Sequence, residues 1–427
     1  MSNAITPSLP PELLIVSKDG LDISLIEKTT TFDYYESILS PMITASISYV
    51  DTGNSVHGNY KTDTQERIGT IYNSLPLTSG EEVKFVVNSH LGKLDFSNKP
   101  LVVNSSTNLG GDSSKEVVVL SLVSKDMETN LNTPINEKYK NLISSSVSNI
   151  LKRTFDLDNS DIDIEETKHN YSFIGAGRSP YEIMIELAKK ATSKSGSPGY
   201  FFYQTQDGYK FKSIDNLVNS EPKDKYFTSN AIRSSLTSDI DNNKRIINYS
   251  VSRNQNLIDA MKSGVYISRN IFFNPRDLSY TEIIFNINQD QPDFTLGTDI
   301  AVPPGSKSYI RTNQHILDVG FYEAGANIKD VSTDPAFSFA KATMRYNILF
   351  SQLINMNIPC NPNLKAGDVI ECNFEKITTG SKSIGAYDET QSGNYLIVNL
   401  CHHFDTDSSY TALTLVRDSY GIYNIKK

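Results

Sequence analysis

Two adjacent histidines, His402 and His403, with Cys401 beside them, are the side chains of this 427-residue chain whose types most invite chemistry. Imidazole and thiolate are ligands for zinc and copper. Neighbours on a strand point to opposite faces, however, so this pair cannot converge on one ion. No HExxH or His-x-His accompanies it. Gly175-Ala176-Gly177-Arg178 looks like a phosphate-cradling turn, yet Pro180 stands where the dinucleotide pattern needs its last glycine, and no GxxxxGK[ST] follows. The acidic run 156–166 suggests calcium. An EF-hand loop read from Asp156 would need Gly sixth and Glu twelfth, where the chain has Asp161 and Thr167. There is no GxSxG elbow, and Ser, His and Asp in one chain do not make a triad. Catalytic, cofactor-binding and metal residues are therefore all assigned as none. No cofactor is expected, and the chain reads as a protein that is not an enzyme.

Charge and composition narrow the partners. A net charge of −9 and a pI near 5.3 are the wrong sign for a nucleic-acid surface, which needs clustered cations to displace counterions. Lys189-Lys190 and Lys426-Lys427 are short basic clusters that read as solvated faces. No apolar run approaches the 18 residues or so of a membrane span. The N-terminus lacks a basic region followed by an apolar stretch, so no export signal is expected. Three cysteines, Cys360, Cys372 and Cys401, have no CxxC spacing and fit buried thiols in a reducing compartment.

The elements are mostly strands at first. An Asp19-Gly20 turn between apolar runs signals a hairpin. Residues 38–51 alternate as a half-buried strand should, and 61–75 read as a short helix or turn. EEVKFVVNS, PLVVNSSTNL and KEVVVLSLVSKD read as further strands. After residue 130 the period changes. Tyr139, Leu142, Ile143, Val147, Ile150 and Leu151 predict a helix over 137–155. Ser179, Pro180 and Glu182 start a second helix with a capping box. A hairpin over 199–214 turns at Asp207-Gly208. Short strands and polar turns follow to about 345, with FSFAKATMRYNILF as a helix leading into a strand, and the last 80 residues or so return to strands.

A repeat runs through this order. Ile38-Leu39 and Ile348-Leu349 each open a strand. SGEEVKF (79–85) resembles AGDVIEC (366–372), LVVN (101–104) matches LIVN (396–399), and LSLV (120–123) matches LTLV (413–416). Each copy reads as an antiparallel barrel or small sandwich. By the period of two, Leu396, Val398, Leu400, His402 and Phe404 share the core face, while Tyr395, Ile397, Asn399, Cys401 and His403 share a face suited to another subunit.

In this order the chain resembles the central baseplate hub protein of contractile-tailed, T-even-like phages and its relatives in other contractile injection systems. The resemblance rests on LKAGDVIECNF (364–374), Gly393-Asn394-Tyr395 with its strand, Leu415-Val416-Arg417-Asp418, the helix start at Ser179-Pro180 and the GYFFYQTQDGYKF hairpin. It covers most of the chain by element order, and its motifs are short. It implies mixed β with α+β: an arm (1–12), a tube-like β-barrel (13–130), an α+β domain (131–225), a second tube-like barrel (226–255 and 345–427) and an insertion (256–344). The insertion and the arm depart from the family's pattern. The function implied is a structural hub, a homotrimeric ring adapting the sixfold tail tube to the threefold central spike, with possible wedge and tape-measure contacts. DNA would pass through the lumen without specific binding, and the chain itself would not insert in a membrane. It would reside in the virion tail after assembly in the host cytoplasm. Other readings are the hub of a bacterial contractile secretion or injection system, a fused hub-spike, a receptor- or carbohydrate-binding β protein, and, last, a hydrolase.

Overall fold

A computed structural model describes residues 9, 11–18, 21–52, 56–58, 67–71, 77–112, 114–228, 243–252, 258, 261–262, 264–275, 278–300, 311–316, 335–376 and 387–421. The Asp19-Gly20 turn and most of the arm and of 61–75 lie outside the described residues.

The first strand set comprises β1 (Leu13–Lys18), β2 (Leu21–Ser24), β3 (Thr29–Ser37), β4 (Thr44–Thr52), β5 (Val56–Gly58), β6 (Arg67–Gly69), β7 (Glu82–Ser89), β8 (Gly92–Asp95), β9 (Leu101–Gly111) and β10 (Lys115–Ser124). A middle region follows with α1 (Asp126–Asn132), β11 (Lys138–Tyr139), α2 (Ile143–Phe155), β12 (Ile162–Ile164), β13 (Phe173–Ile174), α3 (Pro180–Lys190), β14 (Tyr200–Thr205), β15 (Gly208–Ser213) and α4 (Ile214–Val218). The remainder holds β16 (Lys225–Phe227), β17 (Asn248–Ser252), β18 (Ile267–Asn274), β19 (Ser279–Asn286), β20 (Arg311–Ile316), α5 (Pro335–Leu349), β21 (Gln352–Pro359), β22 (Val369–Asn373), β23 (Gly393–Asp405) and β24 (Ser409–Arg417).

Local chemistry explains the middle region. The Ser179 side chain accepts from Glu182 N–H, and the Glu182 carboxylate accepts from Ser179 N–H, so the capping box opens α3 as its sequence predicts. Helix α2 starts at Ile143 rather than 137, because Lys138-Tyr139 pair with Phe173-Ile174 as a short ladder. Its C-cap, Asp156, sits in the left-handed region. Strands β14 and β15 form the expected hairpin, Thr205 opposite Gly208, and β12 joins it in parallel. Tyr139, Val147, Leu151, Tyr181, Leu187, Phe202 and Phe211 share one core there.

The repeated signature is a repeated ladder. In the first copy β7 pairs β9, β9 pairs β10 and β10 pairs β4. In the second, β22 pairs β23, β23 pairs β24 and β24 pairs β21, in the same order. The turns match as well. Gly80 N–H donates to Val103 O and Val103 N–H to Glu81 O; Gly367 N–H donates to Ile397 O and Ile397 N–H to Asp368 O. In each turn the acidic side chain accepts a backbone N–H three residues upstream, Thr78 to Glu81 and Lys365 to Asp368. Gly367 has φ +89°, and a Cβ there would lie 2.2 Å from the Tyr203 hydroxyl, so glycine is required.

The two copies do not stand apart as separate barrels. Strand β3, beside β4, pairs antiparallel with the second half of β23, so both sets form one 14-stranded sheet. Their inner faces share a single core running from Leu14 and Phe85 to Met356 and Leu415.

One register shift corrects the expected faces of β23. Ile397 lies opposite Leu415 and Asn399 opposite Thr414, leaving Val398 as an extra residue. Parity therefore reverses at Val398. Tyr395 and Ile397 join Leu400 and Phe404 in the shared core, whereas Leu396 and Val398 pack with Ile38, Phe201, Val369 and Val416.

The segment carrying β18, β19 and β20 forms its own three-stranded sheet against α5, with Val265, Phe285, Ile287, Ala340, Met344 and Ile348 between them. One buried cation ties this part to the rest. Arg345 donates to Asp418 Oδ2 at 2.9 Å, to Asp215 Oδ1 at 2.5 Å and to Phe294 O at 3.0 Å. Both carboxylates are completed by other donors, Ser197 on Asp215 and Leu296 N–H with Ser419 on Asp418. Removing the guanidinium would leave two buried anions uncompensated. Arg345→Met is expected to lower the unfolding free energy by about 3–5 kcal/mol, read as a lower urea midpoint.

Candidate assembly surface

The chemistry of this fold lies on one sheet face and its two ends. Along the order β17-β21-β24-β23-β3-β4-β10-β9 the strands are consecutive neighbours. Their inward side chains are the shared core. Their outward ones follow from register. One row runs Asn248, Asn357, Ala412, Cys401, Tyr35, Thr44 and Val123. The next runs Tyr410, His403, Asp33, Ser46, Ser121 and Ser105. Beyond it lie Asp405, Thr31, Ser48, Val119 and Thr107. Hydroxyl, amide and small side chains dominate. No arginine stands in these rows, and the cation on this face is Lys115, opposite Thr52 at its end.

The tempting residues fall on both sides of this sheet. His403 points outward, its ring between Asp33 at 2.5 Å and Asp405 at 3.4 Å. Cys401 lies beside it, half-buried, with its thiol 3.7 Å from Asp33. His402 points inward and is fully buried. Cys360 and Cys372 are buried free thiols. The 175–178 turn enters α3, with Arg178 paired to Glu186. In the acidic run, Asp161 pairs with Lys99 and Asp163 with Lys210 and Lys212. Among the described residues no three His, Cys, Asp or Glu side chains stand together as a metal site.

The two edges of the eight-strand run are its second feature. Repeat equivalence makes β17, beside β21, the counterpart of β3, beside β4. It likewise makes β9 the counterpart of β23. Within the chain β3 covers the edge of β23 from Asn399 to Asp405, and these residues alternate between buried and half-buried. The corresponding part of β9, from Asn104 on, is exposed almost throughout, and Leu109 is 67% exposed. Asn248, Tyr249 and Ser250 of β17 are exposed too. Among the described residues the outer edge of β17 and the part of β9 from Asn104 on carry no further strand, while the start of β9 is paired with β7.

Behind the β3–β23 join runs a buried polar chain. Glu36, 2% exposed, accepts the Tyr34 hydroxyl at 2.8 Å, Gln206 N–H at 2.7 Å and Ala366 N–H at 2.9 Å. The Tyr34 ring stacks on His402 with centroids 6.0 Å apart. His402 Nδ1 lies 2.9 Å from Thr411 Oγ1. That hydroxyl accepts Asn361 N–H at 3.0 Å, which leaves its proton for the imidazole. Burial pushes Glu36 up to about 7, against the three donors. Burial pushes His402 down to about 4, with the Leu364 backbone opposing. Sequence reasoning passed over Glu36. The signal was present in the alternation Phe32, Tyr34, Glu36, which puts a carboxylate at a core-facing position.

No protein-family model matches this chain, and no curated protein matches its sequence. Solved structures do match its fold. A tail protein from Neisseria meningitidis superposes with a TM-score of 0.56 at 9% identity, over 95% of this chain and 96% of that one. The 43 kDa tail protein of prophage MuSo2 from Shewanella oneidensis superposes at 0.53 and 9% identity, over 95% and 98%. An Escherichia coli component of the type VI secretion system is a looser match, 0.46 at 10% identity over 92% and 75%. The chain therefore has a mixed, mainly antiparallel β fold of the kind seen in phage tail proteins.

The polar chain predicts a pH profile. His402 is held below its ordinary value of 6.5, so its share of stability is lost as pH falls from 6.5 toward 4, up to about 3 kcal/mol. Glu36 acts oppositely, adding stability as pH falls from about 7 to 4.5. The wild type should be nearly level between these limits. In His402→Leu, where Thr411 keeps its bond to Asn361, urea unfolding should show stability rising steadily on acidification. A wild type that loses stability as steeply as a single uncompensated histidine would rule this pairing out.

Proposed function

We propose that this chain is the structural hub of a contractile-tail baseplate, three copies forming a ring that adapts a sixfold tube to a threefold central spike. The observation that carries the reading is the join between β3 and the second half of β23. It links two like ladders within one chain and leaves their equivalents, β17 and β9, as exposed ends. Repeating the same join between copies, β17 of one against β9 of the next, extends the sheet with a near-constant rotation per ladder. A constant rotation is what a closed ring requires. Because each chain supplies two ladders, three chains give six similar positions. Edge-to-edge pairing also removes the hazard of open strand edges.

The outward face supports the lumen role. Its hydroxyls and amides, with almost no cations on a chain of net charge −9, offer DNA no counterion-releasing contacts. Tail tube and central spike would seat on the two rims of the ring, with wedge and tape-measure proteins as further partners. The role is one of assembly rather than catalysis, and the place of action is the virion tail after assembly in the host cytoplasm.

Two measurements on the purified chain test this. Native mass spectrometry should give three times the 47.6 kDa of one chain. By repeat equivalence, Asp33 opposite His403 maps onto Ser250 opposite the Leu109-Gly110 bulge of the next copy. A Ser250→Cys, Leu109→Cys double variant should therefore form chain-to-chain links with a short bis-maleimide, which alkylates both thiols, and neither single variant should do so. A stable monomer with affinity for sugars would sink the hub reading.

A further inference from the structure

We propose that Glu36 is a proton-operated latch that holds the β14–β15 hairpin tip and the 361–368 loop against β3. The two N–H groups on its carboxylate come from segments far apart in the chain. Gln206 is 170 residues away and Ala366 is 330 residues away. The same two segments touch each other through Gln206 Nε2 donating to Pro362 O at 2.7 Å and through the Lys365–Asp207 pair. Three parts of the molecule thus meet on one buried carboxyl group.

The groups facing Glu36 leave its charge largely uncompensated. Tyr34 of β3, Tyr203 of the hairpin and Lys365 of the loop face it directly, and behind them Asp207 acts on Tyr34 and Asp368 on Tyr203. His402 of β23 faces it only through the Tyr34 ring. Lys365 is the cation among them, and it is spent on Asp207. A carboxylate in this place therefore keeps its hydrogen bonds but lacks a counterion. A protonated carboxyl still offers its carbonyl oxygen to the donors and sheds the cost of buried charge. Opening the joint wets the group and returns it toward its ordinary value, so opening releases a proton.

The sign follows from linkage. Burial raises Glu36 from 4.5 to about 7 in the closed joint. The latch is then tightest below 4.5, and its opening constant grows roughly tenfold per pH unit up to about 7 and levels off above that. The loop also touches His402, through the Leu364 backbone and the Asn361–Thr411 bond, so a His402 contribution falls below 6.5, and Glu36→Gln, which keeps His402, isolates the part carried by Glu36.

Hydrogen exchange on the full chain tests the latch, with peptides covering 200–212 and 361–370 followed from pH 5 to 8.5 and corrected for intrinsic rate. The expected result is a loss of protection in both peptides with rising pH, saturating near 7, while peptides from β10 and β24 stay level. Glu36→Gln, neutral at every pH, should abolish that loss of protection. Tyr34→Phe removes one donor from the carboxylate and should move the saturation point upward, which keeps the test usable if Glu36→Gln does not fold. Protection that is flat with pH in the wild type, or a pH dependence unchanged in both variants, would overturn the proposal.

Discussion

Strand β23 forms backbone ladders on both edges and changes partner along one of them. Up to Ile397 that edge carries β22, and from Asn399 it carries β3. The extra residue, Val398, makes the exchange possible. A bulge bends the strand and increases its twist, so its second half leaves its own ladder and lies along the other copy. With that single register shift the two copies become one sheet with one core. Without it each copy would have to bury its inner face alone. The parity change also feeds two cores from one strand, Tyr395 and Ile397 to one side and Leu396 and Val398 to the other.

A shared core has a consequence for polar groups. Where the parts meet, loops and helices from distant segments bring backbone donors and carboxylates out of water, and each must find a partner there. Two arrangements meet that need. Arg345 satisfies Asp215 and Asp418, joining α4, α5 and the segment after β24. Glu36 satisfies two backbone N–H groups with no counterion of its own. The first sets one guanidinium between two carboxylates. The second couples the seam to the proton. His402, stacked on the tyrosine that binds Glu36, carries an opposite linkage, so the two offset each other in the global fold.

Much of the architecture could be read from residue order. Three of the four short matches between the copies fall on equivalent strands and turns, including the paired acidic acceptors Glu81 and Asp368; the fourth does not, since Ile38-Leu39 lies in the turn after β3 and Ile348-Leu349 ends helix α5 rather than opening a strand. The capping box of α3 and the Asp207-Gly208 hairpin stand where their residue types put them. What the alternation rule misassigned were Tyr395, Ile397, Leu396 and Val398, because a period of two carries no information about a bulge. The helix over 137–155 begins six residues late because Lys138 and Tyr139 find strand partners in Phe173 and Ile174, distant in sequence. Glu36 looked like one more acidic residue in a polar strand, although its parity marked it as inward.

The sequence by itself determined the kinds of element, their order and the fact of duplication. Those follow from local periodicity, turn chemistry and self-similarity, which act over a few residues. Only the tertiary structure decided that the two copies share one sheet, which edges stay open, and which carboxylates are buried. Those depend on pairings between residues hundreds of positions apart, such as Asn399 with Ser37, and on a desolvation cost that exists only once the segments have met.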